Sequence, residues 1–331
     1  MLRLMRTRLQ SRLLPVLLLM QSVAPSLLAA PAIHFERIQY HGWKNCVRLR
    51  NARAEVVIVP AIGRVMQFRR RGGQDTFWEN PRRASPTADP EATEWANFGG
   101  DKSWPAPQSA WPLVTGRAWP PPAGFDALPA SWRRRGSTIE LLSAVDPHYG
   151  IRVRRIIRLD PRLARMTIRT TFENVSGPVQ QVAIWVVTQL CSPEKIFFSA
   201  PEGYHDLETA PATTERNAGW ISLERNPDHS VKIGARTSSL LWIKGDIALR
   251  IDSPLEPAAT YPDGNSSVEV YTSPDPLQYV ELETLGPLAT LQPGASLSRV
   301  NTYTLFRRRA HAGSKDAERL LRQRPMTKRP R

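Results

Sequence analysis

The chain has 331 residues, 41% of them hydrophobic, which is enough to build a substantial buried core. Its formal charge is +15, but the surplus sits at the ends: residues 1–32 hold four arginines and no acid, and residues 307–331 hold ten basic and two acidic residues. The body, 33–306, is left near +3, which argues against nucleic acid as a partner, and two cysteines exclude a cysteine-rich zinc site.

The first element in chain order reads as a cleavable export signal. Arg3, Arg6, Arg8 and Arg12 give a basic start, and an apolar run extends from Leu13 to Met20, continuing more loosely to Leu28. Ala30, Pro31 and Ala32 fit a small-x-small cleavage rule with the cut after Ala32. The alternatives are a membrane anchor or a buried first helix; Pro15 and Pro25 interrupt the apolar run and it is short for a full span. The expected address is periplasmic or secreted. In such a compartment Cys46 and Cys191 either form one long-range disulfide or remain two separately buried thiols.

Strand signals dominate the body of the chain. Met166, Ile168, Thr170 and Phe172 alternate with Thr167, Arg169, Thr171 and Glu173, the period of a half-buried strand. Ile151 and Val153 alternate with arginines, and the phase slips at Arg155-Ile156-Ile157, where a bulge is expected. Asp160-Pro161 makes the turn between these two runs. Further strands are expected at 46–50, 55–59, 64–68, 137–145, 180–190, 239–243, 247–252, 267–271, 278–285 and 298–306. With turn clusters between them and few helical windows, these predict a single large antiparallel sandwich over 33–306. One helix is expected in the tail 307–331, where Ala317, Leu320 and Leu321 could share a face. That basic tail reads as a solvated end or as a weak contact for an anionic envelope surface.

The segment from Trp78 to Trp132 differs, with six of the ten tryptophans and ten of the thirty prolines. It is too aromatic for a disordered linker and too proline-rich for central strands, so a long ordered loop is expected. Its sharpest string is Asn97-Phe-Gly-Gly-Asp-Lys-Ser-Trp-Pro-Ala-Pro-Gln108. Gly99 and Gly100 permit a tight turn. Asp101, Lys102, Asn97 and Gln108 supply acceptor, cation and amides, and Trp104 and Trp111 supply flat apolar faces. Sugar sites use this set: polar groups meet hydroxyls and a ring stacks on C–H faces. The plain alternative is that Asp101 and Lys102 pair with each other above a small tryptophan core.

Tyr279-Val-Glu-Leu-Glu-Thr-Leu-Gly-Pro287 is the second candidate. On a strand, Tyr279, Glu281 and Glu283 share one face, and two carboxylates there repel unless a cation or ligand lies between them. One of them then acquires a raised pKa, as acid–base chemistry requires. The plain alternative is a solvated outer face. The six histidines show no paired metal-ligand spacing, so no metal or other cofactor is expected.

Trp78-Glu-Asn-Pro81, the 97–108 string, Trp119-Pro-Pro-Pro-Ala-Gly-Phe-Asp126, Val182–Gln189, Tyr279–Pro287 and Leu291-Gln-Pro-Gly294 together resemble the family labelled DUF4380. The resemblance spans about 55–306 and implies a galactose mutarotase-like β-supersandwich, a group that includes aldose 1-epimerases and sugar-binding domains. Pro60-Ala-Ile-Gly-Arg-Val-Met66 resembles the opening strand of that group and brings in Arg64. The resemblance implies a late-strand glutamate base, matched best by Glu283 and next by Glu281. The central strand that carries a histidine acid in epimerases here reads Ile184–Leu190, with Thr188 and Gln189 and no histidine. Lys102 or Asp101 would then be the acid. Asn97, Trp104, Gln108, Trp111, Arg64 and Gln189 are the expected ligand-binding residues. The leading expectation is an exported carbohydrate-binding protein. The alternatives are a sugar epimerase using Glu283 with a non-histidine acid, and a non-catalytic cell-envelope interaction protein.

Overall fold

Four strands open the folded body: β1 (His34–Tyr40), β2 (Trp43–Arg50), β3 (Ala54–Val59) and β4 (Arg64–Arg70). A long loop leads to β5 (Asp101–Ala106) and, past the short helices α1 (Trp111–Thr115) and α2 (Ala123–Asp126), to β6 (Ala130–Arg135). The meander β7 (Thr138–Val145), β8 (Ile151–Leu159), β9 (Arg165–Asn174) and β10 (Gln180–Cys191) comes after it. Next are β11 (Lys195–Ser199), β12 (Tyr204–Asp206), β13 (Thr214–Asn217), β14 (Trp220–Leu223), β15 (Val231–Ala235), β16 (Ser239–Lys244) and β17 (Ile247–Asp252). The turn α3 (Pro262–Asn265) precedes β18 (Val268–Thr272), β19 (Tyr279–Leu285), β20 (Ala289–Leu291), β21 (Ser296–Arg307) and the tail helix α4 (Ser314–Arg322). This computed structural model describes residues 32–83, 87–89, 91–208, 212–309 and 313–323. The expected leader, Ala32 apart, and residues 324–331 lie outside the described residues. No helix among the described residues is long and apolar enough to cross a membrane.

The described strands make two antiparallel sheets. The first runs β1-β2-β3-β4-β5-β10-β19-β18-β15-β12, with β20 added on β10; the second runs β13-β14-β11-β16-β17-β21-β9-β8-β7-β6. Their facing sides share one large apolar core, drawn from residues such as Val56, Phe68, Ile157, Ile168, Trp242 and Leu282. Burying each such side chain contributes about 1.5–3 kcal/mol. Met166, Ile168, Thr170 and Phe172 of β9 are buried as their alternation requires, so the expected antiparallel supersandwich is the observed architecture.

Two local expectations are overturned. No bulge interrupts β8 at 155–157: the β8–β9 register is continuous from Ile151 to Leu159. The phase slip is an arginine at an inward position. Arg155 is 3% exposed and spans the core to the other sheet, donating to the Asp101 carbonyl at 2.9 Å and to its carboxylate. The second correction concerns β5, a central strand built inside the proline-rich segment, flanked by β4 and β10. Proline is tolerated at position 105 because β4 pairs with β5 only at Val65–Asp101, leaving no ladder partner for the missing N–H further along.

Cys46 and Cys191 are separate free thiols. Cys46 donates to the Trp43 carbonyl at 3.4 Å and Cys191 to the Phe77 carbonyl at 3.6 Å. Burial pushes both thiols up to about 11, so neither is a reactive thiolate.

A candidate functional cleft on the first sheet

Alternation along β5 sends neighbouring side chains to opposite faces of the sheet. Asp101, Ser103 and Pro105 point one way, Lys102 and Trp104 the other. The ladders then carry the second set across the sheet. Lys102 lies opposite Val187, Val187 opposite Glu283, Glu283 opposite Glu269, Glu269 opposite Gly234, and Gly234 opposite His205. The adjacent row holds Gln189, Glu281, Tyr271 and Lys232. The two rows thus draw on six strands, from β5 to β12, and set glutamates and lysines side by side as a floor on the face turned away from the inter-sheet core.

The charges on this floor are buried and interleaved. Lys232 reaches Glu269 at 2.7 Å and Glu283 at 3.3 Å, and its ammonium stands 4.5 Å over the Trp185 ring. Trp185 donates its indole N–H to Glu283 at 2.6 Å. Lys102 stands 3.6 Å from Glu281 and about 5 Å above the rings of Trp95 and Trp104. Burial pushes the Lys102 ammonium down to about 8, against the pull of Glu281. Burial lifts Glu281 to about 7, opposed by Lys102 and reinforced by Glu283. Burial raises Glu269 well above the carboxylate range. For Lys232 burial acts downward, but Glu269 and Glu283 outweigh it and the ammonium is raised.

Over this floor opens a cleft of about 600 Å³, walled by Trp95, Trp104, Trp119, Trp185 and Tyr279, with Glu281, Asn97 and Gln108 among its polar lining. The tryptophan wall is anchored by one carboxylate. Asp126 accepts from Trp104 at 2.9 Å, from Trp95 at 3.1 Å and from Arg64 at 2.7 Å. Several buried polar atoms of the floor have no hydrogen-bond partner: Lys102 Nζ, Glu281 Oε1, Glu283 Oε1, Asn97 Oδ1 and both amide atoms of Gln189. Orphans of this kind cost about 1–3 kcal/mol each, and a cluster of them marks a place built to meet a polar ligand or water. A hollow of about 710 Å³ lies under α4 on the second sheet, but none of the described residues lining it has such an orphan.

The expected site residues divide. Glu281, Trp104, Asn97 and Gln108 line the cleft; Lys102, 3.6 Å from Glu281, and Gln189, opposite Glu281 on β10, are buried in the floor and do not line the cavity. Tyr279, Glu281 and Glu283 do share a face, and that face is buried beneath the cleft instead of solvated. Glu283 is held in place by Trp185 and Lys232 and does not line the cavity. Asp101 is the clearest correction. Its carboxylate faces the inter-sheet core, where Thr188 donates at 2.7 Å, Tyr303 at 2.5 Å, and Arg155 closes the ion pair. It therefore cannot pair with Lys102 or reach a cleft ligand. Trp111 is fully buried, donating to the Pro105 carbonyl at 2.7 Å beneath Trp104 and Trp185. Arg64 is fully buried as well and supports Asp126 and the Gly99 carbonyl.

Sequence reading missed Lys232, Glu269, Asp126 and Trp185. For the first two the available signal was a lone charge inside an apolar strand, as in Val231-Lys-Ile and Val268-Glu-Val. Such a charge is stable inside a sheet only when paired.

No protein-family model matches the chain, and no curated protein matches it. Solved structures do. A candidate aldose 1-epimerase from Klebsiella pneumoniae shares 11% identity at a TM-score of 0.56, covering 87% of this chain and 86% of that one. A galactose mutarotase-like protein from Clostridium acetobutylicum shares 8% identity at a TM-score of 0.52, covering 83% and 99%. A TPR-domain containing protein from Parabacteroides distasonis shares 14% identity at a TM-score of 0.52, covering 79% of this chain and only 47% of that larger one. At these identities the likeness establishes the fold, which is galactose mutarotase-like.

Proposed function

We propose that the protein is an exported carbohydrate-binding protein of the DUF4380 type, holding a sugar in the cleft over β5, β10, β19, β18 and β15. The observation that carries this reading is the set of orphaned polar atoms beneath a tryptophan wall. A sugar supplies what both surfaces lack, hydroxyls for the floor and C–H faces for the indoles. The test is Asn97→Leu, which removes the orphaned Oδ1 of a residue that lines the cleft and keeps the number of side-chain heavy atoms. Its ligand-free stability should be unchanged or higher, while affinity for the best sugar in a calorimetric panel falls at least tenfold. A folded variant that binds as tightly as wild type refutes the reading; if it does not fold, Gln108→Leu, at a second lining amide, is read in its place.

Turnover is a second reading, favoured by one observation. Lys102 and Glu281 face each other with proton affinities brought toward neutrality from opposite sides. Glu281 then takes the proton of the anomeric hydroxyl while Lys102 protonates the ring oxygen. The bond between C1 and the ring oxygen opens to an aldehyde and recloses on the other face. Glu281 replaces Glu283 as the base in this scheme because Glu283 is committed to Trp185 and Lys232. Exchange NMR between anomers should show wild type above the buffer rate and Glu281→Gln and Lys102→Met at it. Wild type at the buffer rate leaves a binder only.

A further inference from the structure

The seam where the two sheets end carries a second feature, independent of the cleft. β1 is one edge strand of the first sheet and β6 one edge strand of the second, and side chains of the two meet. Phe35 packs against Trp132 with ring centroids 5.9 Å apart. The Arg37 guanidinium lies 5.1 Å from the Trp132 ring, and the Arg134 guanidinium 4.7 Å from the Phe35 ring. A groove of about 560 Å³ runs over this ladder, lined by Phe35, Arg37, Asn45, Trp132, Arg133 and Arg134, with no acidic residue among them.

The arginines of the groove are not all spent on neighbours. Glu140 takes Arg133 and Arg135 and shares Arg154 with Glu173. Arg134 gives its Nε–H to the Gly136 carbonyl at 2.8 Å and has no acidic partner within the described residues. Arg37 is exposed there without an ion pair or hydrogen bond to them. Stacking on a ring fixes the plane of a guanidinium and leaves its N–H edge free, which is the geometry that receives an oxyanion bidentately.

We propose that this seam groove binds the carboxylate or sulfate groups of an acidic polysaccharide. Arg37 and Arg134, neither paired with an acid, beside Arg133 and with no acid among the lining residues, give the charge complementarity, on a body whose own net charge is close to balance. Arginines already occupy faces of Phe35 and Trp132, so the groove offers no open platform for stacking nucleic-acid bases. Its concave, arginine-lined floor lacks the exposed apolar face with which a protein settles into a bilayer.

The experiment uses the full chain and immobilised heparin and polygalacturonate, with neutral dextran and anionic phosphatidylglycerol vesicles as comparisons. Wild type should bind at least one of the two acidic polymers, with affinity falling as salt rises, and should ignore dextran. Arg37→Ala/Arg134→Ala should lose at least tenfold in affinity and show a shallower salt dependence. The pair Arg71→Ala/Arg82→Ala, exposed arginines elsewhere, should bind like wild type. Because the stacked arginines also close the seam, Arg37→Lys/Arg134→Lys is measured alongside: it keeps the charge, removes the fork, and should lose most of the same affinity. Four results overturn the proposal: no binding to either polymer, equal loss in both alanine pairs, full affinity in the lysine pair, or binding to vesicles alone. Retained sugar binding in the cleft with loss at the seam, or the reverse, separates this proposal from the cleft reading.

Discussion

Glu281 holds its proton to about 7 in the folded protein against an ordinary 4.5, and burial is the main cause. Between those values the native state binds more protons than the unfolded chain, so stability falls as pH rises. Glu281→Gln removes that titration. The variant should therefore gain on wild type as pH rises through this window, by at most about 3 kcal/mol, read from urea midpoints at its two ends. A variant that loses ground to wild type as pH rises through this window contradicts the burial of this carboxyl. Lys102, lowered from 10.5 to about 8, has the opposite slope: its contribution makes stability rise with pH between these values. The two residues were both named from sequence, but their opposition was not. Lys102 is 179 residues from Glu281, and only the β5–β10–β19 pairing brings them within 3.6 Å.

The turn that feeds β5 shows how an element is positioned by its backbone. Gly99 adopts φ +91°, and a Cβ there would stand 2.2 Å from the Trp78 carbonyl oxygen. Gly72 also has a positive φ, +64°, but open space around it. Gly99→Ala should cost more than about 2 kcal/mol and Gly72→Ala about 1 kcal/mol, measured by denaturant melts of the two variants. Equal costs would mean that the close approach of the 78–80 segment to β5 does not exist. The double glycine was readable as a tight turn. The strand it launches was not, because Pro105 and Pro107 argue against a ladder unless one knows that β4 stops pairing at Asp101. The arginine at 155 misled for a related reason: a charge breaks the alternation only if its partner is unknown, and Asp101 lies 54 positions away.

Across the whole molecule, the tail helix closes the outer face of the second sheet. Ala317 and Leu320 are buried against Leu241, Ile243 and Ala248. Arg250 reaches through to cap the helix end, donating to the Leu320 carbonyl at 2.5 Å and the Gln323 carbonyl at 2.7 Å. Truncation after Gly313 should cost roughly 3 kcal/mol in chemical denaturation and raise the binding of a hydrophobic dye. Sugar affinity should be unchanged, since α4 packs on β16 and β17 of the second sheet and the cleft belongs to the first. A loss of sugar affinity on truncation would tie the tail to the cleft.

Strand periodicity, the glycine turn and the clustering of tryptophans are local properties, set by neighbours in the chain, and the amino-acid sequence determined them unaided. It also determined which carboxylates share a face of β19, since alternation needs no partner strand. Tertiary structure decided which face meets the core and which the cleft. By that choice Asp101 went inward to Arg155 and Tyr303 while Lys102, its neighbour, went to Glu281. It also decided which buried charges are compensated, because a charge inside a sheet is stable only against partners brought in by the ladders. Lys232 with Glu269, and Arg64 with Asp126, are the pairs that no reading of spacing could supply.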